Sequence, residues 1–298
     1  MQRHPDLIFD VGLHLGQDTS YYLAKGYRVV AIDAAADLVE RATQHFADAI
    51  ANGRLTLLHG AITADPGSTV KFFKNDTMSI WGTVDSIRAK RVSYGRSVTA
   101  VEVPAIHLED VMGAYGVPYF MKVDIEGADT LCLQALSRVA ECERPASLSI
   151  ESDRDSWDNV QHEFELLTGL GYNRFAVVQQ ATVEQIHKPI RTLDGRWVLH
   201  RFERDGSGPF GEDLGVPWLE APQALARYRR IFRGYSAVNT VRDWLQGDAS
   251  ADPGDEPQHR PTTRFPARLK HGSVVLARDH LRRPLLGWYD THALRVDQ

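Results

Sequence analysis

The sequence predicts an α/β fold in which a mostly parallel central sheet carries helices on both faces. Short apolar runs alternate with helical patterns over residues 6–180, and strands that alternate with helices pair in parallel through right-handed crossovers. Hydrophobic residues form 43% of the 298 residues, which is enough to bury a sizeable core. A chain of this length accommodates one large domain with an extension.

The N-terminal residues predict two strand–helix units and a third strand. Residues 7–11 form an apolar run that ends in a glycine-containing loop, and residues 19–24 follow with helical spacing. Residues 28–32 are rich in β-branched side chains and are closed by Asp33. A third strand is expected at residues 55–58. The helix between the second and third strands presents one apolar face, formed by Leu38, Ala42, Phe46, Ala49 and Ile50.

The middle of the chain combines exposed and buried strands. Residues 69–74 and 97–103 alternate in the manner of exposed strands, and the polar segment 75–86 between them has no clear period. We expect a hairpin-like elaboration or a loop there. Residues 119–123 predict a buried strand, and the strongest helical periodicity in the chain follows it. The apolar face of that helix consists of Ala128, Leu131, Cys132, Ala135, Leu136 and Val139.

Two further strands complete the predicted sheet. Residues 146–150 and 175–178 are apolar runs, and between them residues 159–170 form a helix that Gly171 ends. Since these elements continue the strand–helix alternation, they extend the same parallel sheet.

The periodic signal weakens beyond residue 190. We therefore expect a catalytic domain over residues 1–205 and a C-terminal extension or lid over residues 206–298. Residues 223–232 have helical spacing, whereas residues 248–266 carry Pro, Gly and Asp at the density of a linker.

Charge and composition exclude several classes of function. The formal net charge of −5 provides no general attraction for phosphate backbones or anionic lipid, so we expect no nucleic-acid partner. The two cysteines lie outside any zinc-binding pattern, and we expect no metal ligated by cysteine or histidine. No apolar run is long enough to span a membrane, and the N-terminus enters a strand at once, which favours a cytoplasmic protein.

A glycine-containing loop after the first strand marks a ligand site. Asp10, Gly12 and Gly16 follow the DxGxxxG spacing at the point where the first helix begins. At this position the amide groups and the dipole of the helix face the crevice beyond the strand ends. A dinucleotide fingerprint needs GxGxxG so that bare backbone can approach a diphosphate, whereas here Leu13, His14 and Leu15 separate the glycines. The loop therefore favours S-adenosylmethionine, which has no phosphate.

Acidic residues would hold the two polar ends of such a cofactor. Asp10 supplies a negative charge for its cationic end, and Asp33 is placed to accept hydrogen bonds from both ribose hydroxyls. Because an acid fills that ribose role in dinucleotide enzymes as well, Asp33 alone does not distinguish the two cofactors. We expect the cofactor to contact Asp10, Gly12, His14, Gly16, Asp33, Ala34, Gly60, Ala61 and Asp124.

A charged group ends the strand at residues 119–123. Lys122 and Asp124 point to the same face because side chains along a strand alternate. Burying two charges at a strand end is costly unless they meet each other or a ligand. We expect an ion pair that either orders the loop or borders the reaction site.

At residues 120–129 the sequence resembles the FkbM family of methyltransferases. The segments DLIFDVGLHLGQDT, VVAIDA, HGAI, IHLEDV and FMKVDIEGAD follow one another as in that family, over residues 6–180. Asp129 stands where the family more often has Glu. The resemblance implies a Rossmann-like class I methyltransferase fold, S-adenosylmethionine as cofactor and O-methylation as the reaction. It also implies that Lys122, Asp124 and Glu126 border the methyl-transfer site.

The general base is open at this point. Lys122 would serve only in its neutral form, which an adjacent Asp124 disfavours. Asp124 is therefore the first candidate, and His162 and the terminal segment 288–292 are the histidine-bearing alternatives. A metal-assisted variant is also open, in which Asp124, Glu151 and Asp153 would hold Mg²⁺.

Two rival functions remain beside methyl transfer. One is an NAD-dependent oxidoreductase on the same sheet, and the other is a small-molecule binding protein without catalysis. The partner we expect is a small-molecule or glycan acceptor, with a homodimer as the candidate assembly. The pocket that selects the acceptor is expected in residues 75–97 and 190–298.

Overall fold

A seven-stranded sheet is the largest sheet that the described residues form. The structure, a computed structural model, describes residues 1–65, 67–75, 83–84, 98–153, 156–246 and 287–296. The strands are β1 (Arg3–Val11), β2 (Arg28–Asp33), β3 (Leu55–His59), β4 (Ala61–Ile62), β5 (Thr69–Asn75), β6 (Val98–Ile106), β7 (Val117–Val123), β8 (Ser147–Ser152), β9 (Arg174–Gln179), β10 (His187–Arg191), β11 (Trp197–Arg201) and β12 (Tyr289–Leu294). The helices are α1 (Gln17–Ala24), α2 (Ala36–His45), α3 (Ala47–Ala51), α4 (Leu108–Tyr115), α5 (Asp129–Ser137), α6 (Trp157–Gly169) and α7 (Ala221–Gln246).

The strand order of the central sheet is β3-β2-β1-β7-β8-β12-β9. β1, β2, β3, β7 and β8 pair in parallel, and β12 pairs antiparallel with β8 and β9. β4, β5 and β6 form a small second sheet, and β10 and β11 form an antiparallel hairpin. The predicted α/β class with a mostly parallel sheet is therefore confirmed.

The direction of the crossovers covers both faces of the sheet. From β1 the chain passes through α1 and α2 toward β3, whereas from β7 it passes through α5 and α6 toward the opposite edge. Right-handed crossovers that run in opposite directions place their helices on opposite faces. The order reverses between β1 and β7, and at such a reversal the loops diverge and leave a crevice.

The strand register places a polar row across one face of the sheet. Asp10 of β1 lies beside Lys122 of β7, which lies beside Ser149 of β8, which in turn lies beside His292 of β12. All four side chains are buried. A polar row in the interior requires partners or a function, because unpaired buried polar groups are costly.

Some predicted elements differ from the observed ones. The single helix expected over residues 38–50 is divided into α2 and α3 at Phe46. Residues 69–74 and 97–103 correspond to β5 and β6, which pair antiparallel, and most of segment 75–86 lies outside the described residues. The expected linker at residues 248–266 also lies outside them. α4 was not predicted as a helix.

The last described strand corrects our interpretation of the C-terminal segment. We expected residues 288–292 to offer a histidine base, and residues 289–294 form β12, inserted between β8 and β9. The chain divides into one compact unit of Met1–Leu225 with Trp288–Gln298, and a second unit, Ala226–Gly287. The boundary expected at residue 205 does not coincide with this division, because the sheet takes its seventh strand from beyond residue 287.

Glu163 provides a test of how α6 packs. Its side chain is buried, accepts a hydrogen bond of 2.6 Å from Ser152 Oγ, and has its pKa raised to about 8 by burial. The folded state therefore binds more protons than the unfolded state between the ordinary glutamate pKa and about 8, so stability falls as pH rises through this window. We expect Glu163→Gln to remove this loss of stability. At pH 8 its free energy of unfolding, measured in urea, should exceed that of the wild type by roughly 1–3 kcal/mol.

Glu165→Gln is the matched control for this prediction, since Glu165 lies on the same helix with 76% of its side chain exposed. Its stability should depend on pH as that of the wild type does. The same pH slope in Glu163→Gln and the wild type would contradict the assignment.

Candidate functional site

A cavity of about 330 Å³ lies at the edge of the sheet where β1, β2, β7 and β8 end and β12 begins. That volume is in the range of small-molecule sites. The parallel strands bring their carboxyl ends to this edge, and the antiparallel β12 brings its amino end. Residues from β12 therefore complete the cavity wall although they are distant in sequence.

Lys122 is the buried cation at the floor of the cavity. Only 3% of the residue is exposed, and its Nζ donates a hydrogen bond of 2.6 Å to Gly12 O. The same nitrogen lies 3.4 Å from Asp10 Oδ1, 3.6 Å from Asp124 Oδ2 and 3.7 Å from Asp18 Oδ2. The predicted ion pair of Lys122 and Asp124 is thus part of a larger group with three carboxylates.

These carboxylates keep Lys122 charged. Burial lowers the pKa of Lys122, but the charges of Asp10, Asp124 and Asp18 outweigh burial and raise the pKa above that of an ordinary lysine. Lys122 therefore carries no lone pair near neutral pH and is not a general base. Its chemical role is electrostatic, since a fixed positive charge is held at the junction of β1 and β7.

Asp10 lies behind Lys122 and not at the cavity wall. It is fully buried, and its Oδ2 accepts a hydrogen bond of 2.6 Å from Thr19 Oγ1. Burial raises the pKa of Asp10 to about 6, and the charge of Lys122 opposes that rise. This position differs from our expectation of direct cofactor contact, because Asp10 acts on the cavity through Lys122.

Gly12 and Gly16 lie where another part of the chain comes too close for a side chain. Gly12 has a φ of 91°, and a Cβ there would lie 1.8 Å from the carbonyl oxygen of Asp124. Gly12 therefore lets the β1 loop lie directly on the β7 loop, and it lines the cavity. Gly16 has a φ of 84° and packs under the ring of Phe46, away from the cavity lining. The expected cofactor contact of Gly16 is replaced by a role in starting α1.

Asp33 is held in a fixed orientation at the end of β2. Its Oδ2 accepts a hydrogen bond of 2.8 Å from His14 N, and its Oδ1 accepts one of 2.8 Å from Ala35 N. Burial raises the pKa of Asp33, whereas the two backbone N–H groups lower it. Each oxygen keeps a second lone pair, so the carboxylate is prepared to accept two hydroxyl donors.

Two carboxylates of the loop after β7, Asp124 and Glu126, lie close to Glu151 of β8. Asp129 accepts hydrogen bonds of 2.9 Å from Ile125 N and from Gly127 N, and Glu126 between them has a φ of 54°. Carboxylate oxygens of Asp124, Glu126 and Glu151 lie within 4.8 Å of one another.

Asp153 is not part of this acidic group, contrary to the expected magnesium set. It accepts hydrogen bonds from Ser156 N at 2.9 Å and from Asn159 Nδ2 at 2.7 Å, at the start of α6. The residues expected to hold Mg²⁺ are therefore reduced to Asp124 and Glu151, with Glu126 beside them.

A segment after β11 closes one side of the cavity. Ser207 N and Gly208 N donate hydrogen bonds of 3.0 and 3.2 Å to the carboxylate of Asp18. Phe210 stacks on Phe120 with their ring centroids 4.4 Å apart. These contacts hold Arg204, Asp205, Gly206 and Ser207 in the cavity wall.

Asp290 brings β12 into the site. It is buried, lines the cavity and forms a hydrogen bond with Ser207. Burial, reinforced by the charge of Asp124, raises the pKa of Asp290 well above that of an ordinary aspartate. A carboxyl group of this kind tends to hold a proton near neutral pH.

The histidine alternatives for the base do not reach the cavity. His162 lies on α6 with 58% of its side chain exposed, 3.7 Å from Glu165, because Val160, Phe164 and Leu167 form the buried face of that helix. His292 lies in the interior of the sheet, where burial lowers its pKa to about 3. Both differ from the expectation that they supply the base.

The structure brings most of the expected site residues together. Those at the cavity are Gly12, His14, Asp33, Ala34, Gly60, Ala61, Lys122, Asp124 and Glu126. Sequence reasoning missed Asp18, Gln180 and Ser207, which come from three separate segments. Of these three, only Asp18 could have been found from the sequence, because it is an acidic residue in the first turn of the helix that follows DxGxxxG.

The charge of the cavity suits a cationic cofactor. Its basic side chains are Lys122 and Arg204, and Lys122 is already surrounded by carboxylates. Its acidic side chains are Asp18, Asp33, Asp124, Glu126, Glu151, Asp205 and Asp290. S-adenosylmethionine carries a sulfonium and an ammonium group, which this surplus of carboxylates attracts, and a dinucleotide carries a diphosphate, which it repels.

The family model for the methyltransferase FkbM domain matches residues 10–189, more than half of the chain. The chain belongs to this family. It is therefore a methyltransferase, and its cofactor is S-adenosylmethionine. Among proteins of curated function, none matches the chain significantly. In the described part of the chain, no helix has both the length and the apolar surface that a bilayer crossing needs.

Several solved structures share part of the fold. A precorrin 8W decarboxylase from Methanobacterium thermoautotrophicum is 13% identical, with a TM-score of 0.34, over 66% of this chain and 77% of the other. A precorrin-6y C5,15-methyltransferase from Geobacter metallireducens is 10% identical, with a TM-score of 0.33, over 67% and 77%. An O-methyltransferase from Bacillus cereus, in complex with SAH, is 12% identical, with a TM-score of 0.31, over 65% and 71%. Similarity at this level supports no inference about activity.

The close approach at Gly12 yields a prediction for this FkbM-domain protein. We expect Gly12→Ala to lower stability by about 2 kcal/mol or more, because the new Cβ meets the Asp124 carbonyl and the φ is positive. Binding of S-adenosylhomocysteine should fall with it, since the β1 loop must shift. Thermal unfolding and calorimetric titration measure the two effects.

Gly113→Ala is the control, because Gly113 lies in α4 with no atom within 4 Å of an added Cβ. It should leave ligand binding unchanged and stabilise slightly, by roughly 0.4–1 kcal/mol. Wild-type stability and affinity in Gly12→Ala would refute the proposed contact between the loops.

Proposed function

We propose that this protein transfers a methyl group from S-adenosylmethionine to a hydroxyl oxygen of a small-molecule or glycan acceptor. The observation that carries the proposal is the group of carboxylates at the end of the cavity away from Asp33, where oxygens of Asp124, Glu126 and Glu151 lie within 4.8 Å of one another and Asp124 lies 3.6 Å from the charged Lys122. A carboxylate accepts a proton or a hydrogen bond from a hydroxyl. The histidine among the described lining residues is His14, whose backbone N–H is bonded to Asp33 and whose pKa is lowered by burial.

The acidic lining favours a hydroxyl over an amine. Negative charges stabilise the protonated form of an amine, and that form has no lone pair with which to attack a methyl group. A hydroxyl is neutral and keeps its lone pairs beside a carboxylate. A phosphate-rich acceptor such as RNA is disfavoured by the same charges and by the net charge of −5.

The cofactor supplies an electrophilic methyl group, and the chain supplies its position. We assign the ribose hydroxyls to Asp33, whose two oxygens are oriented by backbone N–H groups. His14, Ala34, Gly60 and Ala61 form the adjoining wall. The remaining carboxylates attract the cationic part of the cofactor, and a donor and an acceptor held side by side in this way react as if at very high concentration.

Asp124 is the proposed general base. Its carboxylate lies at the cavity surface with 35% of the side chain exposed, and its backbone N donates a hydrogen bond of 2.9 Å to Val11 O. Its Oδ2 lies 3.6 Å from Lys122 Nζ, which holds the carboxylate at the cavity wall. Asp124 can therefore receive the hydroxyl proton as the oxygen attacks.

Two other functions are separated by experiment. Family membership argues against the NAD-dependent oxidoreductase, and a binding protein without catalysis would bind the cofactor but not consume it. We further propose that the enzyme is cytoplasmic.

Incubation with labelled S-adenosylmethionine and a panel of alcohols, amines and phenols, with and without EDTA, tests the reaction and its metal dependence. Transfer to amines alone would refute the proposal, as would binding of the cofactor without any transfer.

Replacing Asp33 by Ala should weaken S-adenosylhomocysteine binding by about 10–100-fold in calorimetry, because two hydrogen bonds to the ribose are lost. Asp37→Ala is the matched control, since Asp37 is exposed and pairs with Lys74. Unchanged affinity in Asp33→Ala would place the ribose elsewhere.

Replacing Asp124 by Asn should lower kcat by about 10²–10⁴-fold and should change the cofactor affinity much less, because a positioned base contributes that much to a proton transfer. Asp110→Asn, on the exposed side of α4, should leave both quantities unchanged. Equal losses of kcat and cofactor affinity would move Asp124 from catalysis into cofactor binding.

A further inference from the structure

Gln180 has a buried side chain with unsatisfied polar atoms at the wall of the cavity. The residue directly follows β9, lines the cavity and is only 3% exposed. Among the described residues, neither its Oε1 nor its Nε2 has a hydrogen-bond partner. A buried amide without partners is costly, because the loss of its bonds to water is not compensated. Such a group is expected where a ligand supplies the missing partners.

The backbone of Gln180 is fixed, so its side chain has a defined position. Its N donates a hydrogen bond of 2.9 Å to Trp288 O, and its O accepts one of 3.1 Å from Val183 N. These bonds join the end of β9 to the start of β12 and to the short helix Val183–Gln185. Gln180 is therefore held opposite Trp288, which also lines the cavity.

The position of Gln180 separates it from the proposed cofactor residues. In the sheet β9 lies four strand positions from β1, which corresponds to about 19 Å at the usual spacing between strands. Gly12 and Asp33 lie at the ends of β1 and β2. Between them and Gln180 lie Asp124, Glu151 and Asp290. A molecule that contacts Gln180 thus lies on the far side of the proposed base from the ribose site.

We infer that Gln180 binds the methyl acceptor through a second hydroxyl, next to the hydroxyl that receives the methyl group. The amide oxygen accepts and the amide nitrogen donates, and a hydroxyl group can pair with either atom because it both donates and accepts. The acceptor is then a polyol, with one hydroxyl at Asp124 and another at Gln180. This inference rests on the proposed O-methylation and adds to it the residue that selects the acceptor.

The stability of the free protein gives a test that needs no acceptor. Gln180→Met keeps the volume of the side chain and removes its two unsatisfied polar atoms, so we expect Tm to rise by about 2–4 °C. Gln185→Met, an exposed glutamine five residues away, should leave Tm unchanged. A lower Tm in Gln180→Met would mean that the amide is structural and would overturn the inference.

Kinetics test the contact itself. The probes are methyl hexopyranosides and their monodeoxy analogues, with labelled S-adenosylmethionine as donor. We expect Gln180→Met to raise the KM of the best glycoside by about tenfold or more while the affinity for S-adenosylhomocysteine stays unchanged. With the wild type, the KM of one deoxy analogue should be higher than that of the parent glycoside by a similar factor. With Gln180→Met, the two KM values should differ little, since the contact is already absent. The KM of Gln180→Glu, which keeps the accepting oxygen, should lie between those of the wild type and Gln180→Met.

The outcomes distinguish this inference from the proposed function. An unchanged KM in Gln180→Met overturns the acceptor contact, and so does a parallel loss of S-adenosylhomocysteine affinity. If the wild type methylates amines and not glycosides, O-methylation is refuted, and the KM of Gln180→Met for those amines decides whether Gln180 contacts the acceptor. If no probe is methylated, O-methylation of these polyols is refuted and the Tm comparison decides the role of Gln180.

Discussion

The buried ammonium group of Lys122 is the constraint on which the site depends. Its charge is surrounded by the carboxylates of Asp10, Asp18 and Asp124, and its fourth contact is the carbonyl oxygen of Gly12. These partners come from β1, from the loop that follows it, from α1 and from the end of β7. Removing any one of them would leave a charge or a dipole uncompensated in the interior, which is far more costly than losing an exposed pair. The loops of the cavity are therefore fixed by electrostatics as much as by packing.

The same cluster connects the segments that the proposed reaction uses. Asp18 faces Lys122 on one side and receives the backbone N–H groups of Ser207 and Gly208 on the other. Ser207 in turn is bonded to Asp290 of β12. A continuous chain of polar contacts thus runs from the β1 loop to the last strand of the sheet. Preorganised groups of this kind do not need to rearrange when charge moves in the reaction, and that is a major source of enzymatic rate.

Sequence patterns found the parts of this site that are local. The β1 loop, Asp33 and the pair Lys122 and Asp124 each follow a strand whose apolar run is visible in the sequence, and the family resemblance grouped them. β12 was missed because its residues are mostly polar and its neighbours β8 and β9 lie more than a hundred residues earlier. Two of its polar residues are buried with hydrogen-bond partners from distant segments. Asp290 is bonded to Ser207, and Thr291 is bonded to Ser152. The structure places His162 on the exposed face of α6, opposite the buried residues Val160, Phe164 and Leu167, and this spacing is visible in the sequence.

The insertion of β12 between β8 and β9 has a consequence for biosynthesis. Before residues 289–294 are available, β8 and β9 each lack the partner that β12 provides, and unpaired strand edges are templates for pairing with another chain. The cavity also lacks Trp288 and Asp290 during that interval. A chain without residues 288–294 would thus lack part of the cavity wall and expose two strand edges. Synthesis of the final strand simultaneously seals the sheet and completes the chamber beside it.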